Sequence, residues 1–189
     1  MKTVEKDLLL HICCAPCLAS VHEELDEMGI EFQGLWYNPN IQPYREYKKR
    51  RKALREYAQK RPVEIIYQDH YDLRGFLTGA IEIEKAGGLR CELCYKVRLE
   101  FTAREAKELG FKRFSTTLLF SKHQRHELIK EAAEEIATQV EIDFFYHDFR
   151  PGAKRSWEIC KELDVYMQNY CGCIFSEEER FNPSCHPKD

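Results

Sequence analysis

The sequence predicts an α/β fold with a mainly parallel sheet, and two observations support this. Short apolar runs rich in β-branched and aromatic residues alternate with longer segments whose apolar residues recur at helical spacing. The loops between these segments are short, as expected when each strand is followed by a helix that packs back onto the sheet. At 189 residues the chain is long enough for one such domain.

Five strands and six helices follow from this pattern. After the first strand, Leu18, Val21 and Leu25 lie on one helical face and Gly29 ends that helix, while Gly87 separates two later helices. The predicted strands cover residues 7–13, 30–38, 62–69, 111–120 and 140–149. The predicted helices cover residues 17–28, 43–60, 71–86, 92–109, 123–138 and 155–163. We therefore expect a Rossmann-like, three-layer fold with a five-stranded sheet and helices on both faces.

Composition places few constraints on function. The net charge is −3, and no apolar run approaches the roughly 18 residues that a membrane span needs. The apolar run near the N-terminus is too short for the core of a signal peptide. We expect a cytoplasmic monomer with no membrane partner, folded as a single domain over residues 1–189, in which 150–189 form a C-terminal helical extension.

The nine cysteines are the most informative residues of the chain. Thiols in the cytosol stay reduced, so clustered cysteines there are more often catalytic or metal-binding than disulfide-bonded. Seven of the nine fall into three groups: Cys13, Cys14 and Cys17; Cys91 and Cys94; Cys171 and Cys173. Cys160 and Cys185 stand alone, and we interpret them as a packed thiol and an incidental one. The grouping favours one shared site over scattered small apolar residues.

The first group follows the first strand, where α/β folds place their ligand crevice. A phosphate-binding loop at this position would contain glycines, so that backbone N–H groups could approach the phosphate. The loop here has no glycine and offers soft sulfur ligands instead. This pattern indicates metal or redox chemistry.

The other two groups leave several interpretations open. Cys91 and Cys94 form a CxxC motif at a helix start, where the helix dipole is expected to lower thiol pKa values. The motif suits half of a zinc knuckle, a thioredoxin-like redox pair or half of an iron-sulfur site. Cys171 and Cys173 flank Gly172, and such a pair can close into a strained, redox-active disulfide or ligate a metal.

A basic stretch and several polar strand ends complete the candidate site. Residues 44–61 carry nine Lys or Arg against two Glu, which suits contact with a nucleic-acid backbone as well as a merely solvated helix face. The predicted contacts are Arg45, Lys48, Lys49, Arg50 and Arg51. Polar residues at the carboxyl ends of strands are predicted to bind a polar small molecule or base, although each alone suits a turn or cap. These residues are Asn38, Asn40, Thr116, Thr117, Asp148 and Arg150.

The motifs LLLHICCAPC, NPNIQPYREYKKR, GGLRCELCYKVRL, FSTTLLFSKHQ, HDFR and QNYCGCIFS span nearly the whole chain. Together they resemble the QueH family of epoxyqueuosine reductases, which work without cobalamin. The resemblance implies the last step of queuosine synthesis, removal of the epoxide oxygen from epoxyqueuosine at the wobble position of the anticodon. The implied partners are the tRNAs for Asp, Asn, His and Tyr, and an external electron donor.

The same resemblance implies the cofactors and the roles of the cysteines. It assigns Cys13, Cys14, Cys91 and Cys94 to a [4Fe-4S] cluster and makes Cys171 and Cys173 a redox-active disulfide. It also implies an additional mononuclear iron, for which Cys17 is the candidate ligand, and Cys14 and Cys17 could exchange roles.

Two other functions fit the residues without the resemblance. A zinc-stabilised RNA-binding module would be colourless and would contain stoichiometric zinc, whereas an iron-sulfur protein absorbs broadly in the visible range. A thiol-disulfide oxidoreductase would keep its activity in a Cys13→Ala variant and lose it in Cys171→Ala.

Overall fold

A five-stranded sheet, all of whose strands run parallel, forms the centre of the computed structural model, which describes residues 7–185. The strands are β1 (Leu8–His11), β2 (Phe32–Trp36), β3 (Ile65–Tyr67), β4 (Arg113–Thr116) and β5 (Asp143–Phe144). The helices are α1 (Ala15–Glu27), α2 (Tyr44–Lys60), α3 (Leu73–Lys85), α4 (Arg90–Glu108), α5 (His126–Val140), α6 (Ala153–Glu162) and α7 (Ile174–Phe181). The predicted α/β class is confirmed.

The strand order β3-β2-β1-β4-β5 reverses its direction between β1 and β4. This reversal is the topological switch point, where parallel α/β sheets form a crevice beyond the carboxyl ends of the strands. β1 pairs with a strand on each side, and Leu8, Leu9 and Leu10 are fully buried. A central strand covered on both faces needs this continuous apolar run. The residues directly after β1 therefore lie at the crevice.

Helices cover the sheet in packed pairs, with α1 against α6 and α4 against α5. The buried face of α1 carries Leu18, Val21 and Leu25, which repeat at the spacing of an amphipathic helix. Gly34 of β2 packs closely against Ile12. A Cβ atom at position 34 would lie 2.5 Å from the Ile12 side chain. A larger residue at position 34 would force the end of the Ile12 side chain to move.

All five strands are shorter than predicted, and the last two show local reasons for it. The strand predicted over 111–120 ends at Thr116, whose hydroxyl accepts a hydrogen bond from the N–H of Leu118 at 3.1 Å and starts a 3-10 helix over Thr117–Phe120. The strand predicted over 140–149 is reduced to β5, because α5 continues to Val140 and Glu141 adopts a left-handed conformation with φ 57°.

The C-terminal part contains α6, α7 and, between them, the loop that carries Cys171 and Cys173. The single domain over 1–189 and the extension over 150–189 stay predictions, and residues 1–6 and 186–189 lie outside the described part, as does the side chain of Cys185. Within residues 7–185, no helix combines the length and the apolar character that a membrane crossing requires.

Glu23 connects three helices and gives a testable pH dependence. Its carboxylate on α1 accepts hydrogen bonds from Arg155 at 2.7 and 2.9 Å and from Arg61 at 2.6 Å. The bonds from Arg155 and then Arg61 lower the pKa of Glu23 from 4.5 to about 2. Because the folded protein favours the ionised form, this stabilisation is complete above pH 4.5 and disappears as the pH falls towards 2.

We expect Glu23→Gln to lower the free energy of unfolding by about 1–2 kcal/mol at neutral pH, allowing for solvent screening of a partly exposed group. Urea denaturation at a series of pH values measures this difference in the free energy of unfolding, which should vanish as the pH approaches 2. The control is Glu134→Gln, since Glu134 lies at the surface and forms a long contact of 4.0 Å with Lys130. A difference between wild type and Glu23→Gln that does not change with pH would contradict the assignment.

Candidate metal centre

Three thiols converge directly after β1. Cys13, Cys14 and Cys17 place their sulfur atoms within 4.8 Å of one another, with 3.0 Å between those of Cys14 and Cys17. Cys14 is also the N-cap of α1, and its sulfur accepts a hydrogen bond from the backbone N–H of Cys17 at 3.4 Å. We call these three residues the cysteine triad. The start of α1 thus gathers three soft ligands at the switch point, where the sequence predicted them.

The triad shares its protons unequally. Hydrogen bonds from Cys14 and Cys17 lower the pKa of the Cys13 thiol well below its usual value. Burial raises the pKa of Cys14, and hydrogen bonding to Cys13 raises that of Cys17. Cys13 is therefore the first of the three to become a thiolate, and the other two keep their protons longer. A metal ion would replace these shared protons, since cysteine binds metals as the thiolate.

A cavity of about 470 Å³ opens beside the cysteine triad. The triad forms one part of its wall, and Cys171, Arg98 and several polar side chains form the rest. Gln168 donates to the sulfur of Cys14 at 2.9 Å, and Gln124 donates to the sulfur of Cys171 at 3.0 Å. The cavity therefore joins the first and the third cysteine groups, and its amide groups already contact sulfur in both.

Hydrogen bonds at the ends of three strands hold the triad in place. His11 accepts from the hydroxyl of Thr116 at 2.9 Å through Nδ1 and donates to the carbonyl of Tyr37 at 3.2 Å through Nε2, since a carbonyl can only accept. Burial, followed by the charge of Arg98, lowers the pKa of His11 to about 4. The uncharged imidazole thus connects β1, β2 and β4 beneath the cysteines.

Two residues that were predicted to bind substrate form hydrogen bonds among these strand ends instead. Asn38 is fully buried, and its amide donates to the carbonyl of Ile12 at 2.9 Å. Thr116 is fully buried too, and its hydroxyl is engaged with His11 and Leu118. The prediction that these two side chains face a ligand is corrected, because their positions at strand ends place them under the loop and not at the cavity wall.

The other four predicted substrate-binding residues occupy different places, and none lies in the wall of this cavity as described. Thr117 accepts a hydrogen bond from the N–H of Cys13 at 3.0 Å and contacts its sulfur at 3.4 Å. Asn40 is buried. Asp148 and Arg150 form an ion pair with each other, with N to O distances of 2.6 and 2.7 Å. Their assignment to substrate stays a prediction.

The CxxC motif begins α4 and packs against the third cysteine group. Cys94 lies in a small apolar cluster with Phe76 and Ala80, and Cys173 packs onto that cluster. Burial raises the pKa of Cys91, and it raises that of Cys94 to about 12. The prediction of lowered pKa values was wrong for these metal-free thiols, because desolvation outweighs the helix dipole. Among described residues, only the triad forms a mutually close set of three potential ligands.

Arg50, in the second turn of α2, holds the loop with Cys171 and Cys173 in place. Arg50 donates to the carbonyl of Cys171 at 2.7 Å and to that of Tyr170 at 2.9 Å. Gly172 has φ +144°, and a Cβ atom there would lie 3.0 Å from the Arg50 guanidinium, so the position requires glycine. Both cysteines are free thiols in this structure.

Arg50 is only 2% exposed and also pairs with Glu46 at 2.6 Å. Its predicted role as a contact for nucleic acid is therefore corrected, since the guanidinium is used inside the protein. Six other cations of α2 line a shallow groove of about 450 Å³. These residues are Arg45, Lys48, Lys49, Arg51, Lys52 and Arg55.

Three residues of the site were not predicted. Arg98 lies one helical turn after Cys94 and donates to its sulfur at 3.0 Å, so the spacing within α4 could have revealed it. Gln124 and Gln168 reach the sulfurs from irregular segments, and no sequence pattern marks them. Cys160 is buried in the core, as predicted, and burial raises its pKa to about 11.

Comparison with known proteins agrees with this site. A family model described as epoxyqueuosine reductase QueH matches residues 8–179. A protein of that name from Dehalococcoides mccartyi is 37% identical over 180 residues, covering 95% of this chain and 97% of the relative. Another, from Thermotoga maritima, is 36% identical over 179 residues, covering 92% and 91%.

The fold has a more distant match in a crystal structure described as a predicted subunit of tRNA methyltransferase from Methanocaldococcus jannaschii. It has a TM-score of 0.52 and 15% identity and covers 82% of this chain and 75% of that one, which supports the fold class alone. The match to the family model extends over the sheet, the cysteine triad, the CxxC motif and the loop with Cys171. The chain therefore belongs to the QueH family of epoxyqueuosine reductases, which are oxidoreductases.

Proposed function

We propose that this protein reduces epoxyqueuosine to queuosine at the wobble position of tRNA, using a [4Fe-4S] cluster and an adjacent iron. The observation that carries the proposal is the cysteine triad, which opens into a cavity at the switch point of the sheet. Family membership supplies the substrate class, and the four tRNAs for Asp, Asn, His and Tyr are the expected carriers.

The donor set fits such a metal centre. The triad offers three soft sulfur ligands within 4.8 Å of one another, the donor type that iron and iron-sulfur clusters accept. Cys91 and Cys94 would complete the ligand set, with Cys13 and Cys14 on the cluster and Cys17 on the iron. When bound, the centre would supply single electrons and a Lewis acid for the epoxide oxygen.

Opening the epoxide to an alkene and releasing its oxygen as water consumes two electrons and two protons. Tyr170 lies in the cavity wall, and burial raises its pKa to about 12, so it carries its proton at neutral pH. Its hydroxyl donates to the carbonyl of Gln42 at 2.8 Å. Asp148 is a poorer donor, because hydrogen bonds from Arg150 lower its pKa to about 2. We assign Tyr170 to proton transfer, together with water, once its hydroxyl has left the carbonyl of Gln42.

The exposed face of α2 is the proposed surface for tRNA. Arg45, Lys48 and Lys49 are exposed there, while Arg51 is half-buried and pairs with Asp69. Cations along one helix attract the phosphates of a nucleic-acid backbone without reading its bases. We therefore expect this face to bind tRNA independently of sequence. The opposite face of the same helix holds the loop with Cys171, so one helix, about 10 Å across, would separate the bound RNA backbone from this loop.

The test is anaerobic incubation of the iron-reconstituted protein with tRNA that carries epoxyqueuosine and a strong chemical reductant. Mass analysis of the digested nucleosides should show the loss of one oxygen atom. Protein stripped of metal by a chelator serves as the control and should leave the nucleoside unchanged. Reduction that persists in a colourless protein containing only zinc would contradict the proposal.

Neutralising the basic face has a quantitative consequence. In the double variant Arg45→Ala, Lys48→Ala we expect the slope of log K against log salt to fall by about 0.7–0.9 for each lost phosphate contact. Filter binding of unmodified tRNA at several salt concentrations measures the slope. The control is Lys154→Ala, since the side chain of Lys154 on α6 is 91% exposed and far from α2 in the chain. Equal slopes for the double variant and the wild type would exclude this face as the RNA site.

A further inference from the structure

Arg98 is a buried cation whose contacts are made with sulfur and a carbonyl. It is 2% exposed and lies in the wall of the cavity. Its Nε donates to the carbonyl of Cys94 at 2.8 Å, and its Nη2 donates to the sulfur of Cys94 at 3.0 Å. Across residues 7–185, no carboxylate is found within ion-pair distance of this guanidinium. Arg50, the other buried arginine at the site, has Glu46 as its partner.

Within the described part of the chain, an anion for Arg98 can come only from its sulfur neighbours. The guanidinium lies in the wall of the cavity that the cysteine triad and Cys171 also line, and it donates to the sulfur of Cys94 at 3.0 Å. A buried cation is costly when its surroundings are neutral, and the cost falls when an anion is placed beside it. A metal bound by these cysteines would hold them as thiolates and would supply that anion.

We propose that Arg98 is the counter-charge of a metal-thiolate centre and thereby a positioning residue for it. This inference rests on the proposed metal site. Metal binding removes the thiol protons, and the resulting set of thiolates carries net negative charge. Arg98 compensates part of that charge from within the protein, where water cannot. It therefore strengthens metal binding, holds the sulfur of Cys94 through Nη2, and favours the state of the centre that carries one more electron.

The charge of the side chain, rather than its volume, is responsible for this effect. Arg98→Met keeps most of the buried volume and removes the charge, whereas Arg98→Lys keeps a charge but loses the planar fork that contacts both atoms of Cys94. Arg104→Met is the matched control, because Arg104 lies on the same helix, is exposed and pairs with Glu100.

The experiment uses the full chain, stripped of metal and titrated anaerobically with Co²⁺, and follows the sulfur-to-cobalt absorption. We expect Arg98→Met to weaken Co²⁺ binding by about 10–100-fold, Arg98→Lys to bind with intermediate strength, and Arg104→Met to match the wild type. Co²⁺ affinities of Arg98→Met and wild type within about twofold of each other would overturn the proposal. Failure of the wild type itself to bind Co²⁺ through sulfur would overturn the metal site and this inference together.

Unfolding in urea separates a charge effect from loss of packing. For Arg98→Met we expect a larger loss of stability in the Co²⁺-loaded protein than in the metal-free protein, since the charge acts on the loaded centre. Equal losses in both forms would show that Arg98 acts on the fold and not on the loaded centre. A Lys variant as weak as the Met variant would show that a charge at this position is not what the centre uses, and either result would refute the counter-charge. After iron-sulfur reconstitution, the ratio of reduced to oxidised centre at a fixed potential should be about tenfold lower in the Met variant. For one electron this corresponds to a reduction potential that is about 59 mV lower.

Discussion

Cys14→Ser is expected to remove iron from the protein and to lower the rate of epoxyqueuosine reduction by at least about 100-fold. Serine replaces a soft sulfur ligand by a hydroxyl that binds iron-sulfur clusters poorly. Serine is also a preferred N-cap, so α1 should begin normally, as it does with the sulfur of Cys14 accepting from Cys17. Iron content, visible absorption and nucleoside mass analysis measure the outcome.

The control for Cys14→Ser is Cys160→Ala, which changes a buried cysteine outside the cavity. Its iron content and rate should match those of the wild type. The metal-free Cys14→Ser protein should unfold within about 0.5 kcal/mol of the wild type, because the cap is kept. A Cys14→Ser protein that retains full iron and full activity would exclude Cys14 as a ligand.

Arg50→Met is expected to lower the free energy of unfolding by about 3–5 kcal/mol, the usual result of leaving one member of a buried ion pair without its partner. The variant loses the bond to Glu46 and both bonds to the loop that carries Cys171. The loop should become mobile and the reduction rate should fall. The salt dependence of tRNA binding should not change, because this guanidinium does not reach the surface.

A double-mutant cycle tests this interpretation of Arg50. In Glu46→Gln, Arg50→Met no buried charge is left alone, so the double variant should be more stable than Arg50→Met. Arg51→Met serves as the surface control, because Arg51 is the neighbouring cation and pairs with Asp69. A salt slope that decreases in Arg50→Met would restore the role in RNA binding that its burial argues against.

The fold and part of the site could be predicted from the sequence. The apolar run Leu8–Leu10, followed by a glycine-free loop of cysteines, correctly placed the triad at the switch point. Strand ends were less predictable, because the hydroxyl of Thr116 competes with the sheet for the N–H of Leu118. Such a local hydrogen bond to a side chain depends on geometry that the spacing of hydrophobic residues does not reveal.

The error over Arg50 has a different origin. A run of cations suggests a solvated face, and composition does not distinguish one arginine in the run from its neighbours. Helical periodicity does, since Arg50 shares a face with the buried Tyr47, Leu54 and Tyr57. The pKa of Cys94 could not be predicted, because it depends on how deeply α4 buries the thiol.

The contact between Gly172 and Arg50 has an evolutionary consequence. A side chain at position 172 would push against the guanidinium, and the loss of the guanidinium would release both carbonyls of the loop. Each residue therefore limits what selection can accept at the other. Across the descendants of a common ancestor, we expect positions 50 and 172 to change together or not at all, although they lie far apart in the chain.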